Sequence, residues 1–315
     1  MWEDRSFSAM VKAELALVTP DLPCCRRMEL AGLVRALGTV ELLGRGRIAL
    51  TLSTDSAPVS RKVIRLLKAV APAVKYEVMV MRRRKLRKNL VYRVHIPHQP
   101  GALELLRLAG FLDGEGRPAE WAEPPELAHD HCMRAFLRGT FLGSGWVAAP
   151  EKQHHLEMST TATEVADALG QMLFACGIAA RMVARRGSLV LYVKEADQII
   201  RFLGLIGAHQ ALLRYEEVRV IKEMKNQVNR QVNAEVANMT KQADAAARQV
   251  EAIERLKASG ALERVSPALR ELAALRLAYP DASLKELGEL CRPPVSKSGA
   301  AHRMRQLMAL AESLE

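Results

Sequence analysis

Aromatic residues make up only 4% of this 315-residue chain. Grooves that bind single strands by stacking bases on Phe, Tyr and Trp need a richer supply, so that mode of nucleic-acid binding is not expected. No uncharged apolar run reaches 18 residues, which excludes a helical membrane span. Met1-Trp2-Glu3-Asp4-Arg5 places no apolar stretch behind a basic one, so a secretory leader is not expected either. Cysteine is scarce: five residues, at positions 24, 25, 132, 176 and 291, with no CxxC pair and no paired His near them in sequence. That spacing argues against a structural zinc site, and no metal or other cofactor is expected. An odd number of cysteines without a leader fits reduced thiols in a cytoplasm.

The excess is in positive charge. Forty-six Lys and Arg oppose 35 Asp and Glu, a formal +11, and 49% apolar residues supply material for real cores. Residues 1–212 carry +8 of the excess and residues 213–315 carry +3. Arg82, Arg83, Arg84, Lys85, Arg87 and Lys88 place six cations in seven positions. Such a run is either a solvated turn or a finger on phosphates, where Lys and Arg gain affinity by releasing counterions. Residues 291–311 add Arg292, Lys297, Arg303 and Arg305 without an acid. Two separated basic elements favour a nucleic acid over a small anion.

The first two hundred residues repeat themselves. Leu30-Ala31-Gly32-Leu33-Val34-Arg35-Ala36-Leu37-Gly38 matches in outline Leu137-Arg138-Gly139-Thr140-Phe141-Leu142-Gly143-Ser144-Gly145, and a Cys and an Arg precede each, at Cys25–Arg27 and Cys132–Arg134. Strand-like segments ending in Ser-Thr follow, 48–54 and 154–160, and then amphipathic helices marked by Val59, Val63, Ile64, Leu66 and Leu67 and by Val165, Leu169, Met172 and Leu173. Strand pairs come next, 74–81 with 90–96 around the basic tip, and 178–184 with 188–193. Leu-rich helices at 101–109 and 195–205 close the units. The Gly-, Pro- and acid-rich stretch 113–126 reads as the connection between halves of about 21–112 and 128–212.

The two Gly-ending helices resemble the paired helices of LAGLIDADG homing endonucleases. That fold packs two αββαββα halves through those helices, with two four-stranded antiparallel sheets forming a saddle over duplex DNA. The resemblance implies close helix approach at Gly32 with Gly38 and at Gly139 with Gly145. The family nuclease carries an acid before each terminal Gly, to hold the metals that activate water. Here those positions are Leu37 and Ser144. Neither is a hard anionic ligand, so no catalytic residue is assigned and no cleavage by that route is expected. His154 and His155 are adjacent on a strand and point to opposite faces, which argues against a metal there.

Residues 213–260 read as a long helical linker. Asn226, Asn229 and Arg230 belong to an amide-rich stretch within it, either a contact surface of versatile donors and acceptors or a polar linker kinked or frayed by Asn. Residues 241–257 read as a solvent-exposed helix. From 261 the pattern is a small all-α domain. Pro267 opens one helix, and Ser283-Leu284-Lys285-Glu286 is a capping box that opens a second, 284–290, with Leu284, Leu287 and Leu290 inward. Pro293-Pro294 interrupts it, and Ser296 caps a last helix from Lys297 to about Ser313. Indexed at about 100° per residue, Ala300, Met304, Leu307, Met308 and Ala311 form its apolar stripe. Ser298, His302, Arg305 and Gln306 lie on or near the opposite face, with Gly299 outward and Arg303 at the flank. This reads as a helix-turn-helix whose face enters a major groove, where Arg reads guanine and Gln adenine. The expected contacts are Lys285, Ser296, Lys297, Ser298, His302, Arg303, Arg305 and Gln306, with Arg82, Arg83, Arg84, Lys85, Arg87, Lys88, Asn226, Asn229 and Arg230 as further candidates.

The joint pattern resembles the WhiA family of bacterial regulators, which pair a degenerate LAGLIDADG-like domain with a C-terminal helix-turn-helix. The most specific pieces are Gly204-Leu205-Ile206-Gly207-Ala208-His209, Asn229-Arg230-Gln231-Val232-Asn233, and the run from Asp281 to Leu290 followed by Val295-Ser296-Lys297-Ser298-Gly299. The resemblance implies an α+β protein: a duplicated LAGLIDADG-like domain over 1–212 with two antiparallel four-stranded sheets, a helical linker over 213–260, and an all-α helix-turn-helix domain over 261–315. It further implies a non-catalytic transcription regulator of sporulation or cell division, cytoplasmic and nucleoid-associated. Its expected partners are double-stranded DNA and, beyond that, RNA polymerase or a sigma factor; a monomer or weak dimer is expected. Two other readings stay open: a ligand or partner sensor, favoured by a pocket of convergent polar groups between the repeats, and an active homing-type endonuclease.

Overall fold

The structure is a computed structural model that describes residues 6–44, 46–82 and 90–313. The chain divides into two compact units, residues 1–221 and 222–315.

The first unit opens with α1 (Phe7–Leu17), capped by the Ser6 side chain, which accepts from the Ala9 amide. The first half then runs α2 (Pro23–Leu37), β1 (Gly38–Leu42), β2 (Ile48–Thr54), α3 (Ala57–Val70), β3 (Glu77–Arg82), β4 (Leu90–Ile96) and α4 (Pro100–Leu108). The second half repeats the order as α5 (Asp130–Ser144), β5 (Gly145–Val147), β6 (Leu156–Thr160), α6 (Thr163–Ala175), β7 (Arg181–Arg185), β8 (Ser188–Val193) and α7 (Ala196–Ile206). Each half holds one antiparallel four-stranded sheet, ordered β1-β2-β4-β3 and β5-β6-β8-β7. The duplicated αββαββα architecture is therefore present.

Strand alternation sets the faces. Leu50 and Leu52 of β2, with Val94 and Ile96 of β4, enter the core, and Met158, Leu191 and Val193 do the same in the other sheet. A single core spans both halves, centred on the α2–α5 pair, with Phe136, Phe141 and Phe202 fully buried. Each such ring contributes on the order of 1.5–3 kcal/mol of burial.

Backbone contact between α2 and α5 depends on glycine. A Cβ on Gly32 would sit 2.3 Å from the Phe136 carbonyl oxygen, and one on Gly139 would sit 2.2 Å from that of Glu29. Gly38 and Gly145 play another part: both are helix C-caps in extended conformation, where the chain passes straight into β1 and β5. These two first strands, and α1, carry no separate sequence signal of their own.

Helix α8 (His209–Ala258) contains no Gly or Pro. It stays helical through its asparagines because their propensity deficit is small beside that of a true breaker. The second unit continues with α9 (Pro267–Ala278), α10 (Leu284–Leu290) and α11 (Lys297–Glu312). Their core gathers Leu272, Ala273, Leu287, Cys291, Ala300, Met304, Leu307 and Ala311 around Ala252, Ile253 and Leu256 of α8. The reading of 241–257 as solvent-exposed is thus corrected, since its last turns are a wall of this core. Arg276 is buried and donates to the carbonyls of Tyr279, Pro280 and Ala282, bracing the α9–α10 turn.

Candidate nucleic-acid interface

The tail is built around two caps. The Ser283 hydroxyl accepts from the Glu286 amide at 3.3 Å, and the Ser283 amide donates to the Glu286 carboxylate at 2.7 Å, closing the capping box. Those bonds hold the Glu286 carboxyl below its ordinary range. Ser296 caps α11 by accepting from the Gly299 amide at 3.2 Å, and its hydroxyl lies 2.8 Å from that of Ser298. Gly288 lets the chain before α11 close on α10, because a Cβ there would meet the Val295 carbonyl oxygen at 2.5 Å. The Val295 amide donates to the Gly288 carbonyl at 2.9 Å.

This framework fixes the outer face of α11. Lys297, Ser298, His302, Arg305 and Gln306 are exposed, while Ala300, Met304, Leu307 and Ala311 are buried beneath them. Ser296 and Lys285 are exposed, although the Ser296 hydroxyl already serves its cap and Lys285 lies 3.9 Å from Glu289. Arg303 is half-buried at the flank and leans toward Cys291. Two details differ from the sequence reading. Leu290 is exposed, because α10 ends there and only Leu287 reaches the core fully. Gly299 faces Val295, where a Cβ would make ordinary contact at 3.4 Å, and does not point into open solvent.

The other expected contacts are dispersed. Arg82 ends β3 and is exposed; Arg83, Arg84, Lys85, Arg87 and Lys88 lie outside the described residues. Asn226, Asn229 and Arg230 are exposed on α8. At about 100° per residue they share one face. Met224, Val228, Val232, Val236 and Met239 form an exposed apolar stripe beside it.

In the first unit, a cavity of about 310 Å³ lies where the C-terminal ends of α2 and α5 meet. Leu37 and Ser144 line it with Arg35, Thr39, Thr140 and Thr160, and none of the described lining residues is acidic. The Ser144 hydroxyl donates back to the Thr140 carbonyl at 3.3 Å. Arg35 lies 4.1 Å over the Phe111 ring and donates to the Glu120 carbonyl; burial brings its pKa down to about 10. The sheet faces opposite the core carry both signs, with Glu41, Glu77 and Arg93 on one and Glu157, Arg181 and Arg185 on the other. His154 and His155 go separate ways, toward Tyr215 at 3.4 Å and Glu157 at 3.1 Å.

One cluster escaped the sequence reading. The first turns of α2 and α5 bring Cys24, Cys25, His131 and Cys132 together, their ligand atoms all within 4.8 Å of one another. The sequence reading set the cysteines far from any paired His, yet His129 and His131 directly precede Cys132, and the fold brings Cys24 and Cys25 to them. The available signal was the repeat: Cys24 and His131 are 107 positions apart, the offset that relates Gly32 to Gly139. Burial pushes the Cys132 thiol up to about 12 and raises Cys25 as well, with Cys24 adding to both.

Together these features define a helix-turn-helix protein carrying a duplicated LAGLIDADG-like scaffold with Leu37 and Ser144 just before the terminal glycines of its two central helices. Family models agree: the WhiA N-terminal LAGLIDADG-like domain matches residues 23–112, the WhiA LAGLIDADG-like domain 133–225, and the WhiA C-terminal HTH domain 228–311. The chain is 88% identical to the probable cell division protein WhiA of Symbiobacterium thermophilum over 315 residues, covering 100% of both chains. It is 44% identical to that of Heliobacterium modesticaldum, covering 98% of this chain and 96% of that one. The crystal structure of full-length DUF199/WhiA from Thermatoga maritima superposes with a TM-score of 0.61 at 26% identity, over 98% of this chain and 99% of that one. This chain belongs to the WhiA family.

Proposed function

We propose that the chain is a sequence-specific DNA-binding transcription regulator that acts in sporulation or cell division and does not cut DNA. The observation that carries this reading is the outer face of α11, where exposed Lys297, Ser298, His302, Arg305 and Gln306 stand on a packed apolar stripe with no acid among them. Arg and Gln on a rigid helix are the side chains that read guanine and adenine in a major groove. The membership in WhiA, whose relatives are named probable cell division proteins, supports the biological setting. Duplex DNA is the partner, in a cytoplasmic, nucleoid-associated location, and RNA polymerase or a sigma factor is the further partner such a regulator meets. Leu37 and Ser144 support a non-catalytic scaffold, since neither supplies a carboxylate for divalent metal.

Replacing His302 and Arg305 with Ala tests the reading. Affinity for the native site in a gel-shift titration should fall by about 1–3 kcal/mol for each base no longer read; unchanged affinity contradicts it. Incubation of the full chain with duplex DNA and magnesium should leave both strands whole, and nicking contradicts the non-catalytic part. A second reading, ligand sensing, is favoured by the cavity between the repeats, which Arg35, Thr39, Thr140, Ser144 and Thr160 line.

A further inference from the structure

The cluster at the start of α2 and α5 is built symmetrically. Cys24 and Cys25 are the second and third residues of α2, and His131 and Cys132 are the second and third residues of α5. Both helices run from this end toward their sheets, so their N-termini meet at the cluster and their C-termini at the cavity of Leu37 and Ser144. Each repeat thus contributes the same two positions to one point. His131 Nδ1 lies 3.2 Å from Cys25 Sγ, 3.3 Å from Cys132 Sγ and 4.0 Å from Cys24 Sγ. The His131 ring stacks on His129, with centroids 5.5 Å apart, which restrains its orientation. All five cysteines of the chain are free.

We propose that Cys24, Cys25, His131 and Cys132 bind one zinc ion in a closed tetrahedral site that clamps the two repeats together at the N-terminal ends of their central helices. Zinc bonds of about 2.3 Å to sulfur and about 2.0–2.1 Å to nitrogen, at tetrahedral angles, set sulfur and nitrogen about 3.6 Å apart. The three observed sulfur–nitrogen distances, 3.2, 3.3 and 4.0 Å, each depart from that by less than about 0.5 Å.

The donor set selects the metal. Three sulfurs and one imidazole suit a borderline-soft ion, whereas magnesium and calcium take oxygen ligands. An iron–sulfur cluster spreads its cysteines around several metal atoms, which a set confined within 4.8 Å does not allow. Four protein ligands leave no open position, so the site is structural. On binding, the thiols give up their protons to solvent and the ion takes the three sulfurs and the His131 nitrogen as ligands. Exposed His131 and half-buried Cys24 provide the entry path, while Cys25 and Cys132 are buried.

The full reduced chain, stripped with a chelator, is titrated with Zn²⁺ against a chromophoric competitor, and with Co²⁺ to read its ligand-field bands. The expected result is one ion per chain and a cobalt spectrum of tetrahedral thiolate type. His131→Ala should keep its circular dichroism yet weaken zinc binding at least about tenfold, and His131→Cys, which replaces one ligand with another, should restore the stoichiometry. Cys176→Ser, outside the cluster, should bind as the parent does. Equal zinc affinity in the parent and His131→Ala would overturn the site, as would a parent that takes up no stoichiometric zinc. Peptide mapping of freshly lysed cells that finds Cys25 and Cys132 joined in a disulfide would overturn it too.

Discussion

Replacing Glu29 with Gln probes how the helix pair is held. Glu29 is fully buried, 2.9 Å from Lys62 Nζ and 3.0 Å from an Arg138 nitrogen. Lys62 is 1% exposed and donates also to the Val18 carbonyl. At about 3 Å and an effective dielectric of about 20, each pair is worth on the order of 5 kcal/mol before desolvation. Desolvation offsets most of that while the triad is whole, but removing one partner leaves the remaining charges buried and unpaired, a loss of about 3–5 kcal/mol. Trp2, Trp121 and Trp146 all lie within residues 1–221, so urea unfolding followed by tryptophan emission reports the affected unit alone. Burial holds Lys62 below its ordinary 10.5, with Glu29 pulling the other way. Between the native value and 10.5 the unfolded chain binds more protons, so stability rises with pH across that window. Removing Glu29 lowers the native value further and extends the window to lower pH. The variant should therefore regain part of its loss as pH increases. A loss below about 1 kcal/mol with no pH recovery would refute the reasoning.

Three further outcomes are expected. Gly139→Ala drives a methyl to 2.2 Å from the Glu29 carbonyl oxygen, so the same urea unfolding should show a loss of about 1–3 kcal/mol or more; an unchanged midpoint would mean that close approach at Gly139 is not needed. Ser283→Ala should destabilise the tail by about 1 kcal/mol, read from helix content on heating. Because the capping box holds Glu286 low, its contribution is present above the ordinary carboxylate value of 4.5 and fades as pH falls through the native one. The loss from Glu286→Ala should therefore shrink at acid pH, whereas the loss from Ser283→Ala, which removes a hydroxyl and keeps the backbone donor, should persist. Replacing Arg82, Arg83, Arg84, Lys85, Arg87 and Lys88 with Ser should flatten the log–log salt dependence of DNA binding by about 0.9 for each phosphate no longer neutralised; an identical slope would assign the run to solvent.

Much of the fold could be read from the chain because the repeat doubled every signal. Two weak matches at Gly32–Gly38 and Gly139–Gly145, each followed by the same elements, reinforce one another where a single copy would not. What escaped was local. β1 and β5 begin at the helix-terminal glycines with no break before them, so nothing local marked their residues as strands. α1 stands outside the repeat and had no counterpart to support it. The burial of Ala252, Ile253 and Leu256 follows from tertiary packing of the tail, which helical periodicity in an otherwise polar stretch did not reveal. The α11 face was legible because a 16-residue amphipathic helix fixes both sides at once. The cysteine cluster was not, because its ligands come from two helices 107 positions apart and only helix pairing joins them.

Mapping bound sites across the genome tests the central claim most directly. The intact chain is compared with one in which Ser298, His302, Arg305 and Gln306 are all Ala, both expressed at equal level. Discrete promoter peaks for the parent that collapse to background in the variant are predicted. Peaks of the same position and height in both would mean that α11 does not read DNA.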